Sequence, residues 1–397
     1  MEANKARLYF VDVMRAWAIL MMLQGHFIDG LLDPHFRDDG NIAFATWKFF
    51  RGITAPTFFT VSGFIFVYLL LREQAKGLSG SNQRIRKGLK RGLMLIGIGY
   101  LLRFNLFGLL SGEIYPSFYM VDVLHCIGLS IVFLIGIYSY SQHRRSIVLP
   151  AILGISSVLI LMLEPAYKAL SYSFMPDLIA NYFTKANGSV FTIFPWFGYA
   201  AFGGFMAVVF HRYHAVKRMY TKAIVLCLLS GLFLTFASSA VFLRLFEITQ
   251  LQLFADVFNN NYLFIRLGNV LILFALFMAL RNLITSKTTL EIGKSTLYIY
   301  VIHFVILYGS FTGFGLYRYF HHSLSPSVVI SGALVFMVVT TYLSILYGRN
   351  KIYIQTVVRQ NTSAIYNYTL HFSKELFSSV NYIFKRIKAY VLSSKVK

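Results

Sequence analysis

The sequence predicts an all-α, polytopic integral membrane protein of about ten transmembrane helices with both termini in the cytoplasm. Three observations predict it. Hydrophobic residues make up 57% of the chain and charged residues only 13%, so the mean hydropathy is positive. Apolar runs of about 20 residues, the length that crosses a bilayer core, recur along the chain. The basic residues behind the net charge of +22 sit in alternate loops and in the C-terminal tail. That is the signature of cytoplasmic loops, and it argues against a nucleic-acid partner.

The spans follow in order. The first, 11–32, contains Asp12 and Arg15 and lacks a small-residue cleavage site, so it is expected to stay as a span. Asp33, Asp38 and Asp39 follow it on the outer side. Span two, 49–71, carries Gly52, Pro56, Ser62 and Gly63, small and helix-bending residues that allow close helix approach. The most basic loop, 72–91, precedes span three, 92–110, which holds Arg103. Span four, 120–140, contains His125, and Arg144 and Arg145 follow it. Span five, 147–163, leads into the longest outer connection, 164–188, which reads as a lid, an acceptor surface or a plain connector. Span six, 190–210, has Pro195 near its outer entry, where it kinks or starts the helix beside an aromatic belt that includes Trp196. Arg212, Lys217, Arg218 and Lys222 precede span seven, 223–243; Glu247 and Asp256 lie in the next outer loop. Span eight, 263–280, is followed by Arg281, Lys287 and Lys294, then by span nine, 296–316, with His303, and span ten, 327–347. Residues 1–347 read as one membrane-embedded domain. The basic tail, 348–397, is expected to lie on the inner membrane surface as an amphipathic helix held by anionic lipid. Cys126 and Cys227 fall in apolar spans and imply neither a disulfide framework nor a zinc site, so no metal is expected.

The first span holds the chemistry. Arg15 and His26 are eleven positions apart. At about 100° per residue that is roughly three turns plus 20°, so both face one side, roughly 16 Å apart along the axis. Charged groups in a membrane helix are costly and mark a protein interior or a cavity. Asp12 lies three residues before Arg15 and Asp29 three after His26, within pairing reach on a helix. Asp12 is expected to hold the guanidinium. Asp29 either fixes the imidazole tautomer or sits exposed among the outer headgroups. The bland reading is that Arg15 snorkels to the headgroups and His26 packs against a polar neighbour. A second cluster, Arg84, Arg86, Lys87, Lys90 and Arg91, suits phosphates, or serves topology and lipid headgroups alone. Arg103, deeper in its span, suits a phosphate or carboxylate inside a cavity. His125 and His303, each taken singly, read more readily as helix-packing polar residues than as catalysts.

These residues carry a resemblance. The opening RLYFVDVMRAWAILMMLQGHF resembles the first helix of the transmembrane acyltransferase superfamily, in which ten residues separate a basic residue from a histidine; here these are Arg15 and His26. WKFFRGITAPTFFTVSGFIF (47–66), RIRKGLKRGLMLIGIGYLLR (84–103), DVLHCIGLS (122–130), IFPWFGYAAFGG (193–204) and STLYIYVIHF (295–304) are similar to the heparan-α-glucosaminide N-acetyltransferase-like branch. The acyltransferase-3 family is a more distant likeness. The resemblance covers about residues 5–345.

It implies an acyl-CoA-dependent O- or N-acetyltransferase, with acetyl-CoA as co-substrate and no metal. The acyl group passes from the cytoplasmic side to a hydroxyl or amine of an extracytoplasmic glycan or lipid-linked sugar. On that reading Arg84, Arg86, Lys87, Lys90, Arg91 and Arg103 bind the coenzyme, Arg15 positions the donor, and His26 is the base or the acyl acceptor. His125, Trp196 and His303 are further pore candidates; Trp196, His303 and backbone amides near the span-two proline are candidate oxyanion donors. Membrane lipids are expected neighbours, the implied location is a bacterial inner membrane, and the oligomeric state stays open, with a dimer as one option. The competing reading is a transporter or exporter of a polar or lipid-linked solute, for which discontinuous helices in two matching halves would speak. A non-catalytic scaffold is disfavoured by the buried charges.

Overall fold

In a bilayer every backbone polar group must be satisfied within the protein, and this chain meets that demand with helices. The computed structural model describes residues 8–75 and 77–393, without the side chains of 78–81, 364–373 and 375–393. In order the helices are α1 (Tyr9–Leu31), α2 (Ile42–Gln74), α3 (Leu78–Arg103), α4 (Leu106–Leu110), α5 (Val123–Ser141), α6 (Val148–Met162), α7 (Glu164–Ala169), α8 (Asp177–Ala180) and α9 (Ile193–Arg212). They continue with α10 (Met219–Phe236), α11 (Ser238–Thr249), α12 (Gln252–Asn259), α13 (Tyr262–Ala279), α14 (Lys287–Lys294), α15 (Thr296–Tyr308), α16 (Leu316–Phe320) and α17 (Pro326–Ser393). Among the described residues extended pairing is limited to an isolated bridge, Leu32 to Leu324.

Six helical segments are long and apolar enough to cross a membrane, or seven if the pair α14 and α15, bent by 70°, is one broken span. Each expected span coincides with helix, but several differ from a plain crossing. Polar residues from Asp12 to Asp29 lower the hydropathy of α1, α3 is basic over its first half, and α6 has only 15 residues. Span three ends as a helix at Arg103, and α4 is separate. Span seven breaks at Ala237 between α10 and α11. Span nine stops at Tyr308, where Gly309 takes a left-handed φ of 81°. In span six Phe194 is extended, so regular helix begins at Pro195.

The chain divides into two compact units, Met1–Tyr342 and Leu343–Lys397. The second is the latter part of α17. Its expected interfacial role falls largely on side chains outside those described.

In the first unit α1 is central. More than half of its residues are buried, among them Met14, Ile19 and Leu23 at 0% exposure. Asp12, Arg15 and His26 therefore face other helices rather than lipid, which removes the cost of charge in hydrocarbon. Close approach is set by small residues. A side chain at Gly63 of α2 would collide with the Ala200 backbone of α9, and one at Gly203 of α9 with the Thr60 carbonyl of α2. Gly293 of α14 presses in the same way on the Asp12 backbone of α1. Asn41 and Asp122 cap α2 and α5 by accepting from backbone amides of Ala43 and Phe44, and of Leu124.

Candidate active site

The tight seat of Gly293 against α1 brings the start of α15 beside Arg15. The guanidinium donates to Thr296 Oγ1 at 2.8 Å and lies 3.8 Å from the Asp12 carboxylate. Near the other end of α1, His26 Nδ1 and His303 Nε2 meet at 3.1 Å. His303 is fully buried, and its ring packs edge-on to Tyr300 at 4.9 Å. Across that contact one imidazole donates and the other accepts, so a proton held by one ring is shared with its neighbour.

Asp29 has a different partner from the one its spacing suggests. Its carboxylate pairs with Arg51 of α2. Gln24, half a turn from His26, accepts from the Trp47 indole N–H at 2.5 Å and ties α1 to α2.

Arg15, His26 and Arg51 line one cavity of about 280 Å³ with Thr296, Tyr300 and Ser62. Its wall on α2 runs from Arg51 to Leu69. That is 18 residue steps, or roughly 27 Å of helix, nearly the thickness of a bilayer core. The cavity is thus long and narrow. Arg84 and Arg91 line it at the basic-loop end; Val190 and Phe191, just after the long outer loop, line it at the other.

The basic cluster is divided by its helix face. Arg84 and Arg91 are seven residues apart, about two turns, and point at the cavity. Arg86, Lys87 and Lys90 do not line it; they are exposed, as is much of Arg91. Partial burial, followed by repulsion from Arg91, holds the Arg84 guanidinium below the usual arginine range. Arginine stays charged in proteins, so the two guanidinium groups on the cavity wall form a cationic site suited to an anion.

Arg103, His125 and Trp196 fall outside the cavity wall. Arg103 Nε lies 3.5 Å from the Asp122 carboxylate, and His125 Nδ1 lies 3.0 Å from it. Asp122 and His125 are 3% and 0% exposed, so this is a buried polar cluster at the start of α5. Trp196 stacks on Phe59 at 5.3 Å and packs at a tilt against Phe191 at 4.9 Å, behind the outer end of the cavity. Pro56 lies inside the continuous α2, so the amides beside it are engaged in the helix. What the proline frees is the Gly52 carbonyl, an acceptor and not an oxyanion donor.

Arg51, Ser62, Thr296 and Tyr300 are site residues that the sequence reading passed over. Arg51 carried a usable signal: like Arg15, it is a charge within an apolar span.

Residues 7–236 match the family model described as heparan-alpha-glucosaminide N-acetyltransferase, catalytic. The match covers more than half of the chain and includes Arg15, His26, Arg51, Arg84 and Arg91; Thr296 and His303 lie beyond it. No curated protein matches the chain.

Proposed function

The chain belongs to the heparan-alpha-glucosaminide N-acetyltransferase catalytic family, and from that premise we propose that it moves an acetyl group from acetyl-CoA across the membrane. The donor enters from the side of the basic loops. The acceptor is an amine or hydroxyl of a sugar-containing molecule on the far side. The observation that carries this reading is the narrow cavity between the Arg84–Arg91 pair and His26. Its residues fit the donor: guanidinium forks for phosphates at one end, an apolar middle for an extended arm, and an imidazole at the other end.

In this reading Arg84 and Arg91 bind phosphate, and Arg15, held by Asp12 and Thr296, orients the arm. His26 takes the proton of the acceptor nucleophile as the new bond to the acyl carbon forms. It returns that proton to the thiolate as the carbon–sulfur bond breaks. His303 fixes the His26 ring. A covalent route, with the acetyl group held on His26, uses the same residues. Ten crossings with both termini inside accord with the one-sided basic loops, and a bacterial inner membrane is the proposed setting.

The test is acetyl transfer by the full chain reconstituted in vesicles, from radiolabelled acetyl-CoA to an amino-sugar oligosaccharide. The His26→Ala protein is expected to fold as judged by thermal unfolding and to lose turnover by at least 100-fold. Wild-type rates from that variant would end the proposed mechanism.

The 70° break between α14 and α15 favours a second reading, a solute transporter. Broken helices in transporters come in matched pairs related by a repeat. Among the described residues there is one broken span and no matching second one. Solute uptake by vesicles without any acyl donor would support the transporter.

A further inference from the structure

A second cavity, of about 1010 Å³, lies between α9, α10 and α13 and is distinct from the one that holds His26. We propose that it binds one anionic phospholipid, with a chain in the groove and the headgroup phosphate at Lys222. The groove exists because α10 packs on α13 through Gly231 and Gly268, where a side chain would meet the opposing backbone, while it stands away from α9. Phe202, Phe205 and Phe210 form one wall, Leu226 and Phe233 another, and Phe274 the floor. Such walls offer water no hydrogen-bond partners, so within a bilayer the groove is filled by hydrocarbon.

Length and charge identify the occupant. The wall on α10 runs from Met219 to Leu234, 15 residue steps or roughly 22 Å, which is more than the half-thickness of a bilayer core. An acyl chain from one leaflet matches that depth. Lys222 is the charged residue among those lining the groove. It sits at the end where Lys217 and Arg218 lie in the α9–α10 connection and where Arg281 stacks over Tyr220 at 4.2 Å. The connection from 211 to 222 contains no acidic residue. A negative headgroup is therefore favoured over a zwitterionic one, by about 5-fold per basic residue, the equivalent of about 1 kcal/mol each.

The test is native mass spectrometry of the full chain in mild detergent with equal phosphatidylglycerol and phosphatidylcholine. The wild type is expected to retain one phosphatidylglycerol per chain. Lys222→Ala should lower that preference about 5-fold. Ser230→Trp should expel the lipid with the melting profile of a folded protein; if it misfolds, Ala223→Phe narrows the same groove. Equal retention of both lipids, or retention by the plugged variant, would overturn the proposal. So would a dimer that forms only as the lipid is lost, since a second copy would then occupy the groove. None of these readouts depends on acetyl transfer.

Discussion

Adding one methyl group at Gly293 tests whether the contact between α14 and α1 aligns the site. In Gly293→Ala the new Cβ would stand 2.9 Å from the Asp12 carbonyl carbon and 3.2 Å from its Cα, and closer still to the oxygen. Carbon–carbon contact is comfortable at about 3.5–4.0 Å, so α14 must back away from α1 by about 1 Å. The clash is with backbone, which no rotamer change relieves. Overpacking of this kind costs about 1–3 kcal/mol. The functional cost is larger. Thr296 follows Gly293 by three residues, and its 2.8 Å bond to Arg15 would stretch to about 3.8 Å, beyond hydrogen-bonding range. The 3.1 Å contact between His26 and His303 lengthens in the same sense. A 1 Å misplacement costs about 100-fold in rate. The assay is acetyl transfer in vesicles alongside thermal unfolding in detergent. We expect a modest loss of melting temperature and about a 100-fold loss of turnover. Full activity with an unchanged melting temperature would show that the close approach does not align the site.

Two further outcomes are expected. Arg84→Ala and Arg91→Ala should each raise the KM for acetyl-CoA about 10-fold, in line with the loss of a charge-assisted bond, whereas Arg86→Ala and Lys87→Ala should leave it within about 2-fold. Equal effects in initial-rate titrations would mean that charge alone matters and the cavity-facing side does not. Asp122→Ala removes a helix cap and leaves the half-buried Arg103 without its 3.5 Å partner. The loss should be about 3–5 kcal/mol from the ion pair plus about 1 kcal/mol from the cap. Asp122→Asn keeps a capping oxygen and should melt above the alanine variant; the reverse order would refute the capping role.

The helical character of the chain was legible because hydrophobic runs and loop charges are local features of the sequence. The cavity side of α1 was legible for the same reason. Eleven residues of helix return Arg15 and His26 to one face, and both line the same cavity. The relation between Arg84 and Arg91 was equally available: seven residues are about two turns, a division of the basic cluster that composition alone conceals. The crossings were less legible. Charge in α1 and α3, the short α6 and the break at Ala237 arise where helices lean on protein instead of lipid, and hydropathy does not register a protein neighbour.

The sequence by itself determined an all-helical membrane chain and a polar helix at its start, because both follow from the bilayer's intolerance of unpaired backbone and charge. Tertiary structure alone decided who meets whom. His26 pairs with His303, 277 positions away, and Asp29 turns from the neighbouring histidine to Arg51 on α2. Short-range spacing fixes the face from which a side chain projects. The partner it finds there depends on how closely helices approach, and glycines such as Gly63, Gly203 and Gly293 set that distance only once their opposing backbones are in place.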